Sequence, residues 1–118
     1  MDPIIAAFRN SMRGLRRVAA TERAVRQELA ALALGLPLSF FLASTIWVWV
    51  ALIGVLLLVL AVELLNTAVE KLCDHITREQ HPAIGFVKDL GSAAVLCSLV
   101  LAALVWGAAL LDALNGSP

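Results

Sequence analysis

Four polar side chains recur along one segment of an otherwise apolar stretch of sequence. Glu63, Asn66, Glu70 and Asp74 are separated by three, four and four residues. In an α-helix this spacing places all four on one face. Inserting an ionisable group near hydrocarbon costs roughly 2.5 to 3.5 kcal/mol, so such a group usually has a function. The spacing therefore predicts a polar stripe that descends from a membrane into water.

A second, shorter polar stripe lies on the next predicted helix, the third membrane span. Lys88 and Ser92 are one turn apart, and Asp89 is three residues from Ser92. The neighbouring small residues, including Gly91 and Ala93, allow another helix backbone to approach closely. This pattern predicts a packed polar interface between two membrane-spanning helices.

The two stripes contain the parts of a phosphoryl-transfer site. Mg²⁺ prefers oxygen ligands and commonly takes one or two carboxylates together with substrate phosphates. Lys88 would hold phosphate, and Glu63, partly removed from water, would accept a proton from a lipid hydroxyl. Since no GxxxxGK[ST] sequence occurs, the phosphates would be held by metal, Lys and Arg side chains. A metal, a phosphate-binding cation and a general base are together the parts of a phosphoryl-transfer site, although carboxylates on membrane helices also form the proton relays of transporters.

The composition indicates that part of the protein surface faces lipid instead of water. The 118 residues are 61% hydrophobic and 15% charged, against roughly half apolar and a quarter charged in soluble domains. A soluble fold of this size would leave too much apolar surface in water. Nine Lys and Arg residues balance nine Asp and Glu residues, so nothing in the charge favours a nucleic-acid partner.

Three segments are long and apolar enough to cross a bilayer, which requires about 20 residues of helix. We predict spans at about residues 27–44, 46–70 and 87–114 of one domain, residues 1–118, with the second helix continuing to about Ile76. A loop is predicted over Thr77–Gly85, in which His81-Pro82 acts as a helix stop. The expected fold is an all-α membrane protein.

The N-terminal segment, about residues 2–20, has a different pattern. Apolar residues such as Ile4, Phe8 and Met12 recur at helical spacing, and arginines occupy the opposite arc. This pattern predicts an amphipathic helix on the membrane surface, with a soluble helix packed on a partner as the alternative. Lys and Arg are concentrated here and in the 71–88 region, which predicts a cytoplasmic N-terminus and second loop and a C-terminus on the far side.

Two sequence runs resemble the signature of the prokaryotic integral membrane diacylglycerol kinase family, which includes undecaprenol kinases. They are ELLNTAVE at 63–70, followed by Asp74, and KDLGSAAV at 88–95. RGLR at 13–16 and ERAVRQE at 22–28 extend the resemblance over nearly the whole chain. The segments 26–28 and 91–94 look more like diacylglycerol kinases of Gram-negative bacteria than undecaprenol kinases.

The resemblance implies a homotrimer in the bacterial inner membrane whose active sites form between subunits at the cytoplasmic face. It implies transfer of the γ-phosphoryl group of MgATP to the hydroxyl of diacylglycerol, which gives phosphatidate and ADP. At the matching positions, Glu63 would be the general base, and Glu22 and Glu70 would be the Mg²⁺ ligands. The implied nucleotide contacts are Glu22, Asn66, Glu70, Asp74, Glu79, Gln80, His81, Lys88 and Asp89. The implied lipid contacts are Arg16, Arg26, Glu28, Trp49, Glu63 and Ser92.

Two other functions fit the same residues. An undecaprenol kinase would perform the same chemistry on a prenyl alcohol, and a small proton-coupled transporter would use Glu63 to cycle protons. The sequence also departs from the family pattern at Pro3 and Asn10, where some members carry an arginine and an aromatic residue. A nucleotide contact at those two positions is therefore not expected.

Overall fold

Four α-helices make up the protein, as shown by a computed structural model that describes residues 2–116. They are α1 (Pro3–Thr21), α2 (Arg23–Leu42), α3 (Ile46–Ile76) and α4 (Pro82–Leu114). Within residues 2–116 there is no β-strand. The helices α2, α3 and α4 are each long and apolar enough to cross a membrane. The predicted all-α class is confirmed, and three helices are candidates for the predicted membrane spans.

Local capping determines where the helices begin. Thr45 precedes α3, and its Oγ1 accepts a hydrogen bond from the Val48 backbone N–H at 3.2 Å. His81 caps α4 in the same way, with Nδ1 accepting from the Ala83 N–H at 3.2 Å. Proline suits the first position of a helix because no hydrogen-bond donor is needed there. The predicted helix stop at His81-Pro82 is therefore wrong: the pair starts α4, and the loop covers only residues 77–81.

The helix α2 begins at Arg23, earlier than the predicted residue 27, and it continues through Pro37 to Leu42. Its first turns contain charged residues, so hydropathy alone places the start too late. The helix α1 begins after Asp2, whose carboxylate accepts from the Ile4 N–H at 2.8 Å. None of its residues is buried. Its position on a membrane surface stays a prediction.

The central helix is α3, which packs against both α2 and α4. A Cβ added at Gly35 of α2 would lie 2.6 Å from Leu56 Cδ1 and 3.4 Å from the Trp106 ring, so the absence of a side chain permits this close contact. The Trp106 indole N–H also donates to the Leu52 carbonyl at 3.1 Å. These contacts hold α3 in a fixed orientation relative to its neighbours, and this orientation determines which face carries the polar stripe.

Candidate active site

The buried face of α3 changes from apolar to polar along its length. Leu52, Val55 and Val59 are buried, and the same face continues with Glu63 at 8% exposure and Asn66 at 9% exposure. Further along, Glu70 is half-buried and Asp74 is exposed. The predicted stripe therefore lies on one face and runs from the interior of the helix bundle towards the surface.

Asn66 joins the stripe to α4. Its Nδ2 donates to Glu70 Oε1 at 3.3 Å, and its Oδ1 is buried without a hydrogen-bond partner. A Cβ on Gly91 would overlap this oxygen. The predicted close approach of a second helix at Gly91 is confirmed, and it leaves a buried carbonyl oxygen whose lone pairs are available to a ligand.

Three carboxylates lie close enough to Glu63 for their charges to interact with it, and the four come from three parts of the chain. The negative charges of Glu22 and Glu70 act on Glu63, and Glu63 in turn acts on Glu28 of α2. The Glu28 Oε1 atom is also buried without a partner. We refer to Glu22, Glu28, Glu63 and Glu70 as the carboxylate cluster. Holding like charges away from water costs free energy unless a cation or a proton compensates them. The cluster is therefore suited to binding a cation or a proton.

The joint between α1 and α2 presents Glu22 to α3. Glu22 has extended backbone angles between the two helices, φ −109° and ψ 116°. Its carboxylate accepts from Lys71 Nζ at 3.4 Å. Arg26 donates to the Ala19 carbonyl at 2.9 Å and so ties the last turn of α1 to α2. The joint thereby directs a carboxylate 41 residues before Glu63 in the sequence into the same cluster.

The donor set fits one kind of metal site. Within the described residues, no three His, Cys, Asp or Glu side chains are grouped so as to enclose a metal ion by themselves. Mg²⁺ commonly uses one or two carboxylates and completes its shell with water and substrate phosphates. Glu22 and Glu70, beside the partnerless Asn66 oxygen, fit the protein's share of such a site.

A second group of polar residues lies where α3 ends and α4 begins. Lys88 Nζ donates to Asp74 Oδ1 at 2.7 Å and links the two helices. The loop residues Glu79, Gln80 and His81 line a cleft of about 480 Å³ together with Lys88. The structure therefore brings five of the predicted nucleotide contacts together at this end of the molecule.

Four further predicted site residues lie on α1, α3 and α4. Asp89 and Ser92 are exposed on α4, and Arg16 is exposed on α1. Trp49 packs against Phe40, with ring centroids 5.8 Å apart, and is about 21 Å from Glu63 along the helix axis. The contacts of these four residues with substrate stay predictions.

Beside the stripe, α1 and α3 enclose a groove of about 720 Å³, the α1–α3 groove. Its lining residues are Ser11, Gly14, Leu15, Arg17, Val18, Thr21, Leu64, Thr67, Ala68 and Lys71. Sequence reasoning missed both the groove and the role of Lys71 as the partner of Glu22. The two residues of this ion pair are 49 positions apart, so no local spacing signals the contact.

Fold and site together define a class: a multi-span membrane protein with a carboxylate cluster at the polar end of its central helix. The sequence model of the prokaryotic diacylglycerol kinase family matches residues 9–110. The chain belongs to this family, and the resemblance predicted from its motifs is confirmed.

Individual diacylglycerol kinases are similar in sequence to this chain over most of their length. The diacylglycerol kinase of Haemophilus influenzae is 39% identical over 104 residues, which are 88% of each protein. The diacylglycerol kinase of Escherichia coli K12 is 40% identical over 103 residues, 87% of this chain and 84% of that protein. The diacylglycerol kinase of Pseudomonas aeruginosa is 35% identical over 107 residues, 91% of this chain and 81% of that protein.

Proposed function

We propose that the protein is a lipid kinase of the bacterial inner membrane. It transfers the γ-phosphoryl group of MgATP to the hydroxyl of diacylglycerol and forms phosphatidate and ADP. The observation that carries the proposal is the carboxylate cluster, which lies where the buried face of α3 becomes polar. One substrate is soluble in water and the other in lipid, so such a boundary is where they would meet. Membership of the family and the names of the relatives favour diacylglycerol over undecaprenol as the acceptor.

Glu63 is the general base in this proposal. It accepts the proton of the acceptor hydroxyl as the oxygen attacks the γ-phosphorus. Its side chain is 8% exposed, which keeps bulk water away from the reacting phosphoryl group and so limits hydrolysis of ATP. Glu22 and Glu70 would hold Mg²⁺, and a bound Mg²⁺ would supply positive charge to compensate the phosphates.

The nucleotide approaches from the aqueous side, along the contact between α3 and α4. Glu79, Gln80, His81 and Lys88 line the cleft there. Asn66, Asp74 and Asp89 complete the proposed contacts. Without a glycine-rich phosphate loop in the sequence, the ammonium of Lys88 and the metal ion take over the binding of the phosphates.

The α1–α3 groove is the proposed site for the apolar part of the lipid. Its volume of about 720 Å³ is within the range of about 300 to 1,000 Å³ common for ligand pockets. Thr67 and Leu64 line it and neighbour the polar stripe in the chain. The lipid contacts proposed from the family resemblance lie outside the lining of this groove and would meet other parts of the lipid. They are Arg16, Arg26, Glu28, Trp49, Glu63 and Ser92.

The proposed assembly is a homotrimer with sites between subunits, a cytoplasmic N-terminus and a cytoplasmic loop 77–81. The exposure of Asp89 and Ser92 on α4 supports this arrangement. In a trimer they would face the carboxylate cluster of a neighbouring copy.

Phosphate transfer from labelled MgATP in mixed micelles tests the proposal, with diacylglycerol and undecaprenol supplied in separate reactions. The wild type should label diacylglycerol. Glu63→Gln should lower the rate by about 10²- to 10⁴-fold, which is the contribution of a general base. Asp112→Asn, which removes an exposed carboxylate at the other end of α4, is the matched control and should retain the wild-type rate.

Preferential labelling of undecaprenol would assign the protein to the sister activity. A well-assembled protein that labels neither lipid would contradict the kinase proposal. Proton flux in sealed vesicles would then test the transporter function. A Glu63→Gln variant with the wild-type rate would remove Glu63 from the role of base.

A further inference from the structure

Lys71 forms an ion pair with one of the two proposed metal ligands. Its Nζ lies 3.4 Å from Glu22 Oε2, and the two side chains are 64% and 27% exposed, respectively. Among the described residues, Lys71 gives Glu22 its side-chain hydrogen bond. Lys71 also follows Glu70 directly in the chain, which places its ammonium at the edge of the carboxylate cluster that faces water.

An ammonium and a divalent cation at this edge compete for the same carboxylate. A carboxylate paired with Lys71 has part of its charge already compensated, and a divalent cation that binds Glu22 is repelled by the nearby ammonium. Lysine carries a compact charge on a flexible stem of four carbons, and Lys71 is mostly exposed. Its side chain is therefore free to leave Glu22 without disturbing the packing of α3.

A second carboxylate near the Lys71 ammonium, that of Asp74, lies on the same helix, α3. Lys71, Asp74, His75 and Arg78 line a polar cleft of about 390 Å³, and the charges of Lys71 and Asp74 act on each other. Asp74 is three residues further along α3, which is a spacing that brings helical side chains together. Lys71 therefore has one carboxylate partner inside the proposed metal site, and a second carboxylate, Asp74, lies near it outside that site, where it also accepts from Lys88 at 2.7 Å.

We propose that Lys71 is the resident counter-ion of Glu22, which holds this carboxylate towards α3 in the metal-free state and is displaced when a divalent cation binds. The inference rests on the proposed assignment of Glu22 and Glu70 as Mg²⁺ ligands. Lys71 is in this sense a positioning residue, which acts through Glu22. It sets the apparent affinity of the site for the metal, and raised salt concentration reduces its effect because the pair is exposed to screening.

Binding of Mn²⁺ as a probe for Mg²⁺ tests this inference directly. The purified full-length protein in detergent is titrated with Mn²⁺ in the presence of a nonhydrolysable ATP analogue, and free Mn²⁺ is measured by electron paramagnetic resonance. Lys71→Met keeps the apolar stem and removes the charge, so it should bind Mn²⁺ about two- to fivefold more tightly, as expected for the loss of an exposed ion pair. Lys71→Arg keeps the charge and should restore the wild-type affinity.

Arg78→Met is the charge control, because it removes a positive charge just beyond the end of α3 without a contact to Glu22. Arg78 also lines the cleft proposed for the nucleotide, so the affinity of this variant for the ATP analogue is measured separately. It should change the affinity less than Lys71→Met does. An unchanged or weaker affinity in Lys71→Met, or an equal gain in Arg78→Met, would overturn the inference. Size-exclusion chromatography confirms that each variant keeps its assembly.

The Glu22→Gln variant separates this inference from the proposed function. If Glu22→Gln weakens Mn²⁺ binding but Lys71→Met does not alter it, the metal site stands and the role of Lys71 is refuted. If the wild type itself binds no Mn²⁺, the assignment of the metal ligands fails, and the inference fails with it.

Discussion

The position of the Asn66 side chain depends on the absence of a side chain at Gly91. A Cβ on Gly91 would overlap Asn66 Oδ1, and the same amide donates to Glu70 at 3.3 Å. Any added side chain at position 91 must therefore turn the Asn66 amide away from Glu70 or separate α3 from α4. Gly91 thus controls the position of a proposed nucleotide contact and of a proposed metal ligand.

We expect Gly91→Ala to lower kinase activity at least about tenfold while the fold is retained. Overpacking costs about 1 to 3 kcal/mol, and replacing a helical glycine by alanine returns about 1 kcal/mol. The free energy of unfolding should therefore change little, whereas the site is displaced. Activity and thermal unfolding in detergent are measured for Gly91→Ala and for Gly54→Ala, where a Cβ meets nothing within 4 Å. Wild-type activity in Gly91→Ala would contradict the role of Gly91.

At the scale of the helices, the joint between α1 and α2 determines where Glu22 lies. The family resemblance places Arg26 at the lipid, which stays a prediction, and in the structure Arg26 also donates to the Ala19 carbonyl at 2.9 Å. That carbonyl belongs to the last turn of α1, whose carbonyl groups lack partners within the helix. The bond therefore gives Arg26 a structural role in fixing the joint.

Arg26→Met should loosen the last turn of α1. We expect amide hydrogen exchange there to accelerate about three- to tenfold, since one charged hydrogen bond is lost at an exposed helix end. Exchange measured by mass spectrometry checks this, with Arg23→Met as the control, since Arg23 begins the same helix. A raised KM for diacylglycerol with unchanged exchange would show instead that Arg26 acts on the lipid.

The sequence predicts relations within one helix much better than relations between helices. The positions of Glu63, Asn66 and Glu70 on one face follow from helical periodicity alone, because three- and four-residue steps return to the same side. The starts of α2 and α4 are missed, because hydropathy marks the apolar part of a helix whereas capping marks its true beginning. The pairing of Glu22 with Lys71 requires the packing of α2 on α3, which no local pattern encodes.

At the scale of the whole molecule, α4 is the least buried of the three helices that could cross a membrane. Of its 33 residues, Ser98 and Ala109 are buried, and large apolar side chains such as Leu96, Leu104 and Leu111 are exposed. Such a surface is compatible with lipid, but Asp89 and Ser92 are exposed on the same helix. Polar groups inside a membrane protein face the interior of an assembly far more often than lipid.

If the active site is shared between subunits, a mixture of two inactive variants should regain activity. If Asp89 completes the carboxylate cluster of a neighbouring copy, each active site takes Glu63 from one chain and Asp89 from another. Glu63→Gln and Asp89→Asn then remove residues that different chains contribute to the same site. Each variant alone should be inactive. Subunits of the two variants mixed at random in equal amounts should regain about one quarter of the wild-type rate, because a quarter of the interfaces pair two intact contributions.

The matched mixture combines Glu63→Gln with Glu70→Ala. Both residues lie on the same stripe of α3, so every subunit carries a damaged stripe and no mixed assembly contains an intact one. This mixture should stay inactive after the same procedure of dissociation and reassembly. Recovery in the first mixture and none in the second would place Asp89 across the interface. If neither mixture recovers although mixed trimers are shown to form, Asp89 acts within its own chain and the composite site is refuted.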